Sequence, residues 1–185
     1  WVQYLQSQQV DEMAVLEMQK DVDRLEKVTD RFSKIGSGGK MEEADLTLTI
    51  SEVLNYLKGR ISEKVEIHFD SSDVYLVKHN PALMQWVVEN IAKNAVDAME
   101  GNGALRVTIQ QEKRWIHIDI SDTGKGIHPK QIKTIFKPGF STKKRGWGLG
   151  LSLVKRIVHE YHKGKVFVLK TEIDRGTTFR ISIPL

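Results

Sequence analysis

A glycine-rich break divides this sequence into two stretches of different character. Residues 1–35 contain neither glycine nor proline and are dense in charged residues, which favours helix. The break, Gly36-Ser37-Gly38-Gly39, ends a helix and loosens the backbone because glycine has no side chain to restrict it. After the break, segments with strand-like alternation and helix-like spacing follow one another. The sequence therefore predicts a helical segment followed by an α+β domain.

The first stretch has the spacing of a helix that packs along another helix. Its apolar and small residues recur at intervals of three and four, which is the a/d pattern of such a seam. These residues are Val15, Met18, Val22, Leu25, Thr29 and Phe32. The pattern fits an amphipathic helix that covers its own domain as well as it fits a dimerising hairpin.

Composition excludes several classes of protein. With 40% hydrophobic and 28% charged residues, the 185-residue chain has a globular balance rather than that of a disordered protein. Its net charge of +4 is scattered along the sequence, whereas nucleic-acid-binding proteins usually concentrate cations on one face. The absence of cysteine excludes a disulfide scaffold, and no apolar run approaches the ~18 residues of a membrane span. We expect a soluble chain, or the soluble piece of a longer one.

The second stretch predicts helices on one face of a mixed, mostly antiparallel sheet. Asn80-Pro81 has the cap and first-turn proline of a helix start. Predicted helices cover residues 50–57, 81–99 and 151–162, and predicted strands cover 65–69, 74–77, 105–111, 115–121, 165–170 and 178–183. The fold class is thus α+β, a two-layer α/β sandwich preceded by an α-helical hairpin segment.

Two amides lie four residues apart in the helix predicted over 81–99. Asn90 and Asn94 therefore share one face, with Lys93 beside them. An amide oxygen suits Mg²⁺, a hard cation that keeps several waters and bridges phosphates. Taken alone, the pair fits an exposed polar helix edge better than a binding site.

Two glycine-rich segments follow the amides. Residues 122–127, DTGKGI, come directly after a strand, where a carboxylate can accept from an exocyclic amine and glycines let backbone approach a flat ring. A turn that begins with Asp is the plain alternative. Residues 146–151, GWGLGL, open the last predicted helix, where bare N–H groups form an anion site. Neither segment is the dinucleotide-binding fingerprint or a Walker loop.

In their order and spacing, four segments resemble the N, first-glycine, Phe and second-glycine boxes of sensor histidine kinases. They are NIAKNAVDAM (90–99), DTGKGI (122–127), FKPGFSTK (136–143) and GWGLGL (146–151). Residues 176–179, GTTF, are similar to the terminal strand of that domain, and residues 30–35 to the second helix of the kinase dimerisation hairpin. The resemblance implies a partial hairpin over 1–38 and an ATP-binding catalytic domain over 42–185.

The resemblance also implies roles for individual residues. Asn94 would bind Mg²⁺, with Asn90 beside it at the phosphates, and Asp122 would accept from the adenine amino group. Lys143 would reach the phosphates from a mobile lid, and the Thr177 hydroxyl would support the adenine end. The implied catalytic residues are Asn90, Asn94 and Lys143. The implied nucleotide-binding residues are Asn90, Lys93, Asn94, Asp122, Gly124, Gly126, Ile127, Phe136, Lys143, Gly146, Gly148, Leu149, Gly150 and Thr177, with Phe136 and Phe140 as lid anchors and Gly146, Gly148 and Gly150 as hinges.

One departure from the kinase pattern is the missing phosphoacceptor. The chain has six histidines, but none is followed by an acid and then, a few residues later, by Asn-Pro. They are His68, His79, His117, His128, His159 and His162. We therefore expect a truncated fragment that begins just after the missing segment and binds ATP without phosphorylating itself.

The other departure is from the related ATPases, which place a general-base Glu four residues before the Mg²⁺ Asn. This chain has Asn90 there, and an amide cannot take a proton from water. Glu89 is adjacent, but one residue turns it by about 100° around the helix axis. The residue pattern thus favours a kinase over an ATPase-type conformational switch. Because every box is intact, a degenerate domain that no longer uses nucleotide is also disfavoured.

The function implied is that of a protein histidine kinase, with the ATP γ-phosphoryl group passing to a His and on to a response-regulator Asp. The implied cofactors are ATP, or ADP, and Mg²⁺. The implied partners are the chain's own His-bearing hairpin domain, as a homodimer in the full-length protein, and a response regulator receiver domain. Nucleic acid is not among them, and membrane contact would come only through parts outside this sequence. We expect a cytoplasmic location, which leaves open an inner-membrane anchor in the full-length protein.

Overall fold

A computed structural model describes residues 15, 16, 18, 19, 22, 40–70, 72–143 and 147–185. Contacts divide the chain into two units, residues 1–39 and 40–185. The described residues of the first unit are helical, with Val15 buried and Met18 and Val22 exposed. The other predicted seam residues, and Gly146, lie outside the described residues. Within the described ranges, no helix combines the length and apolar character needed to cross a membrane.

The second unit contains seven strands and three α-helices in its described part. The strands are β1 (Glu42–Asp45), β2 (Val65–Phe69), β3 (Leu76–His79), β4 (Gly103–Glu112), β5 (Trp115–Asp122), β6 (Lys165–Glu172) and β7 (Gly176–Pro184). The helices are α1 (Leu46–Lys58), α2 (Pro81–Ala98) and α3 (Gly150–Arg156), with a 3₁₀ turn at Pro129–Gln131 and a π turn at Ile157–Tyr161.

Five strands form the main sheet, in the order β2-β4-β5-β7-β6. Strands β2 and β4 are parallel, and the other neighbours are antiparallel. Alternation buries Ile116, Ile118 and Ile120 of β5 on one face, where α2 contacts β4, β5 and β7 and α3 contacts β6. Full burial of such a side chain stabilises the fold by about 1.5–3 kcal/mol. The predicted two-layer α+β fold is confirmed.

Asn80 fixes the start of α2. Its Oδ1 accepts from the Leu83 N–H at 2.9 Å, which caps the helix, and Pro81 occupies the first turn as predicted. Its Nδ2 donates to the Lys40 carbonyl at 3.1 Å, and its N–H donates to Nε2 of His162 at 3.2 Å. Burial lowers the pKa of His162, which keeps the imidazole neutral and able to accept. Three separate stretches of chain therefore meet at one buried amide residue.

The structure differs from the sequence-based prediction at several boundaries. The strand expected over 74–77 is β3, two residues later, and it pairs with the unpredicted β1, which has no apolar alternation. Helix α1 begins four residues early because Asp45 Oδ1 accepts from the Thr47 N–H at 2.9 Å. The last helix keeps regular α geometry only to Arg156 and then widens into the π turn.

Candidate functional site

Asp122 ends β5 as a buried carboxylate, only 7% exposed. Its Oδ1 accepts from the Gly124 N–H at 2.8 Å and from the Thr177 N–H at 3.2 Å. Burial raises the pKa of the Asp122 carboxyl, and these two donors offset part of that rise. Among the described residues, Oδ2 has no hydrogen-bond donor, so one oxygen is fixed and the other remains available to accept.

The glycines of the 122–127 segment have a packing function that the sequence did not reveal. A Cβ on Gly124 would lie 2.6 Å from the Ala98 carbonyl, at the end of α2. Gly126 has φ +72°, and a Cβ there would lie 2.2 Å from the Glu172 carbonyl of β6. The close approach at both positions is therefore between protein backbones, and it presses the loop between α2 and the β6–β7 turn.

Ile127 and Thr177 are joined by a residue outside the predicted site. The Ile127 N–H donates to Oγ1 of Thr171 at 2.9 Å, and the same oxygen lies 3.1 Å from Oγ1 of Thr177. Thr177 is buried, and it contributes its backbone N–H as well as its hydroxyl to this region. Sequence reasoning missed Thr171 because its only signal is its cross-strand position opposite Thr177, which requires the β6–β7 register.

The two predicted amides lie on one face of α2 and differ in what they contact. Asn90 donates from Nδ2 to the Trp86 carbonyl at 2.9 Å, and its Oδ1 would lie 3.2 Å from a Cβ placed on Gly150. Asn94 Oδ1 accepts from Nζ of Lys143 at 3.1 Å, so this oxygen already faces a cation. The start of α3 and the segment that carries Lys143 therefore both reach the amide face of α2.

Lysines around this face are held by carboxylates. Lys143 Nζ also donates to Oδ2 of Asp97, one turn beyond Asn94. Lys93 Nζ donates to Oε1 of Glu89, four residues earlier on α2. Both pairs are exposed, and such pairs contribute about 0–1 kcal/mol. Lys93, predicted as a nucleotide contact, is thus engaged on the helix surface, and Glu89 is engaged with it.

The segment between the Phe and second-glycine boxes is closed at its base. The Gly139 N–H donates to the Gly148 carbonyl at 3.1 Å. Gly148 has φ +64°, and a Cβ there would lie 2.5 Å from the Phe140 nitrogen. The Phe136 ring packs edge-on against Phe179 of β7, with centroids 6.2 Å apart. Phe136 thus packs on the sheet and the Phe140 backbone lies against Gly148, and their role as lid anchors stays a prediction.

The residues around Asn94 fit a magnesium ion that is held mainly by water and phosphate rather than by protein side chains. The described residues contain no group of three or more His, Cys, Asp or Glu side chains that could form a metal cage. Mg²⁺ commonly takes only one or two protein oxygens and completes its shell with water and phosphate. Asn94 Oδ1, which contacts the Lys143 ammonium in this structure, is an oxygen of the required kind.

Helix α2 brings several of the predicted residues near one another. At Ala98 its carbonyl accepts from the Lys125 N–H at 3.0 Å, next to Asp122. One turn earlier Asn94 contacts Lys143, and one turn before that Asn90 faces Gly150. The loop after Asp122, Lys143 and Gly150 therefore lie at successive turns of α2, with a carboxylate acceptor near one end and amides toward the other.

Comparison with known proteins agrees with this geometry. Residues 79–185 match the family described as histidine kinase-, DNA gyrase B-, and HSP90-like ATPase. The sensor histidine kinase ZraS of Escherichia coli K12 is 30% identical over 172 residues, covering 91% of this chain and 37% of ZraS. Sporulation kinase D of Bacillus subtilis is 28% identical over 173 residues, covering 91% of this chain and 34% of that kinase. The chain thus spans little more than a third of these relatives.

The solved structures add a likeness in three dimensions. The nucleotide-free catalytic domain of the histidine kinase ThkA has a TM-score of 0.69 and 26% identity, covering 78% of this chain and 95% of that one. The matched family covers more than half of the chain, including all the described residues from α2 onward. The chain therefore belongs to the histidine kinase-, DNA gyrase B- and HSP90-like ATPases, and it is homologous to the ATP-binding catalytic domains of sensor histidine kinases.

Proposed function

We propose that this chain binds ATP with Mg²⁺ and supplies the γ-phosphoryl group to a histidine of a sensor-kinase hairpin. The phosphoryl group would move from ATP to an imidazole nitrogen, leaving ADP, and then to an aspartate of a response regulator receiver domain. The hairpin would be part of the full-length protein, which would form a homodimer. The hairpin and this chain would lie in the cytoplasm. The kinase relatives and the family membership support this assignment.

The observation that carries the proposal is that the two carboxylate oxygens of Asp122 differ in their hydrogen bonding. Oδ1 is fixed by two backbone donors, which leaves Oδ2 to accept from a ligand. An acceptor on a largely buried side chain selects a donor such as the 6-amino group of adenine, because leaving a desolvated carboxylate oxygen unpaired is costly. A simple Asp turn would need only the bond to Gly124, whereas this carboxylate is also held by Thr177.

The amide face of α2 supports triphosphate and metal binding. Mg²⁺, when bound to the phosphates, would neutralise charge that develops during transfer, with Asn94 Oδ1 as its protein ligand. Asn90 would lie beside the phosphates, between Trp86 and the start of α3. Lys143 would exchange its contacts with Asn94 and Asp97 for the phosphates. Positioning and charge neutralisation, rather than a protein base, would then carry the reaction.

The local carboxylates argue against an ATPase-type switch. A hydrolytic enzyme needs a general base aimed at water, which contributes typically about 10²–10⁴ in rate. The side chain at the equivalent position is the amide of Asn90, anchored on Trp86. Glu89, the adjacent acid, is paired with Lys93 on the helix surface. ATP bound here would therefore be kept for a histidine and hydrolysed slowly.

A nucleotide titration of the 185-residue chain tests the proposal. We expect one ATP per chain, tighter with Mg²⁺, and weaker by about 1.5–3 kcal/mol in Asp122→Asn, because the replacement keeps an Oδ1 for Gly124 and Thr177 but turns a donor toward the ligand. Asp174→Asn is the matched control, since this exposed carboxylate lies in the adjoining β6–β7 turn. Equal affinity in Asp122→Asn and wild type would contradict the assignment.

The same sample tests the reaction class. Phosphate release should be slow, and no acid-labile label should appear on the chain's own histidines, because none has the phosphoacceptor neighbours. A separate His-bearing hairpin domain added in trans should become labelled weakly, since the tether that raises effective concentration is absent. Fast phosphate release without labelling of the added hairpin would support the ATPase-type switch instead. Labelling of a histidine within this chain would contradict the proposal.

A further inference from the structure

Thr171 joins three segments at the adenine end of the site. This β6 residue belongs to none of the motif segments, yet its Oγ1 accepts from the Ile127 N–H at 2.9 Å. The same oxygen lies 3.1 Å from the Thr177 hydroxyl and 3.3 Å from the Gly176 carbonyl. Thr171 and Thr177 face each other across the β6–β7 ladder, which fixes the distance between the hydroxyls.

Either threonine could donate across the contact between the two hydroxyls, and the neighbouring groups favour one arrangement of the protons. A hydroxyl has one proton and two acceptor lone pairs. The Ile127 amide uses one lone pair of Thr171, and the Gly176 carbonyl, which can only accept, takes its proton. The remaining lone pair accepts from the Thr177 hydroxyl. If Thr171 donated to Thr177 instead, the Gly176 carbonyl would lose this donor.

Once Thr177 has donated to Thr171, its oxygen can only accept from any further partner. The free oxygen of ionised Asp122 can also only accept, since Oδ1 holds the Gly124 and Thr177 N–H groups. Two acceptors without a proton between them favour a 6-amino purine, whose exocyclic group donates. A 6-oxo purine presents a carbonyl at the same place, and acceptor against acceptor is repulsive.

We propose that Thr171 is a positioning residue for base selection. Because the Thr177 hydroxyl donates its hydrogen bond to Thr171, only hydrogen-bond acceptors remain at this end of the pocket, and these select adenine over guanine nucleotides. The proposal rests on the proposed function, since it needs the purine to lie at Asp122. It adds a residue of β6 to the determinants of base selection. Thr171 acts through Thr177 and Ile127 and is not assigned a contact with the base.

The test compares Thr171→Val, which has nearly the same shape without a hydroxyl, with Thr171→Ser, which keeps it. ATP and GTP affinities are measured on the 185-residue chain, with GTP by competition. We expect Thr171→Val to weaken ATP about tenfold and to narrow the preference for ATP over GTP, because one oriented hydrogen-bond network is lost. Thr171→Ser should bind ATP within about threefold of wild type by the same reasoning.

Thr178→Val is the matched control. Thr178 lies next in the same strand, and its hydroxyl bonds to Ser121 at 2.9 Å, away from this network. The control should bind like wild type, and thermal unfolding should show that all variants fold. Wild-type ATP affinity in Thr171→Val, failure of Thr171→Ser to restore it, or equal weakening of ATP and GTP would each overturn the proposal. If GTP binding is too weak to measure, the serine rescue of ATP affinity decides.

Failure here is distinguishable from failure of the proposed function. If Asp122→Asn weakens ATP but Thr171→Val does not, the adenine site stands and the role of Thr171 is wrong. If neither variant affects ATP, the purine does not bind at Asp122, and both proposals are wrong.

Discussion

The two ends of the proposed nucleotide site are built in different ways. The purine end consists of Asp122, Gly124, Gly126, Thr171 and Thr177, and it is fixed by backbone donors, short hydroxyl contacts and backbone-to-backbone packing. The phosphate end consists of Asn90, Asn94, Asp97 and Lys143, and its contacts to Lys143 are made by exposed, flexible side chains. The purine end is therefore preformed, whereas the phosphate end can rearrange when a charged ligand arrives.

The largest expected effect comes from adding one methyl group to the purine end. Gly126→Ala should destabilise the fold by about 3–5 kcal/mol and abolish ATP binding, because the Cβ meets the Glu172 carbonyl at 2.2 Å in a left-handed conformation. The matched change is Gly139→Ala, which also has a positive φ, of +82°, but no atom within 4 Å of the added Cβ. It should cost only about 1–2 kcal/mol of strain. Urea unfolding gives the stability of the two variants, and an ATP titration gives their affinity. Equal losses in Gly126→Ala and Gly139→Ala would show that the purine end is not specially rigid.

A pH series tests the buried charge of the purine end. The folded state raises the pKa of Asp122, so it binds a proton more tightly than the unfolded chain does. Stability should therefore fall as pH rises from the ordinary Asp value of 3.8 through the raised folded value, relative to Asp122→Asn. Denaturant unfolding of both proteins across this window gives the difference. A wild-type stability that rises relative to the variant in this window would show that hydrogen bonding outweighs burial.

The smallest expected effect lies at the phosphate end. Asp97→Asn should tighten Mg-ATP binding by about 0.2–1 kcal/mol, because Lys143 no longer has to leave a carboxylate before it pairs with phosphate. The gain should shrink at high salt, which screens exposed charges. Glu89→Gln is the control, since it releases Lys93 and not Lys143. Weaker binding in Asp97→Asn would mean that Asp97 holds Lys143 in place for the ligand.

The difference between the two ends also explains what the sequence could predict. Motif order and helical spacing placed Asn90, Asn94 and Asp122 correctly relative to α2 and β5, because four-residue spacing and strand ends are local properties. The position of Thr171 depends on a strand register between residues six apart in a hairpin, and the packing of Gly126 depends on Glu172 across the fold. Local sequence carries no signal for such contacts. Strand β1 was missed for the same reason, since its four residues become a strand only by pairing with β3.

The capping residue of α2 shows that substitutions judged equivalent by helix preference are not interchangeable in this fold. Serine, aspartate and asparagine cap helices about equally well. At Asn80, however, the side chain must accept from Leu83 and donate to the Lys40 carbonyl at the same time. Aspartate has no proton to donate when ionised, and serine is too short to offer both groups in opposite directions. Either replacement would keep the helix cap but lose the hydrogen bond to the carbonyl of Lys40, the first residue of the second unit. Which residues are accepted at position 80 is therefore decided by the contact with Lys40 rather than by the capping of α2.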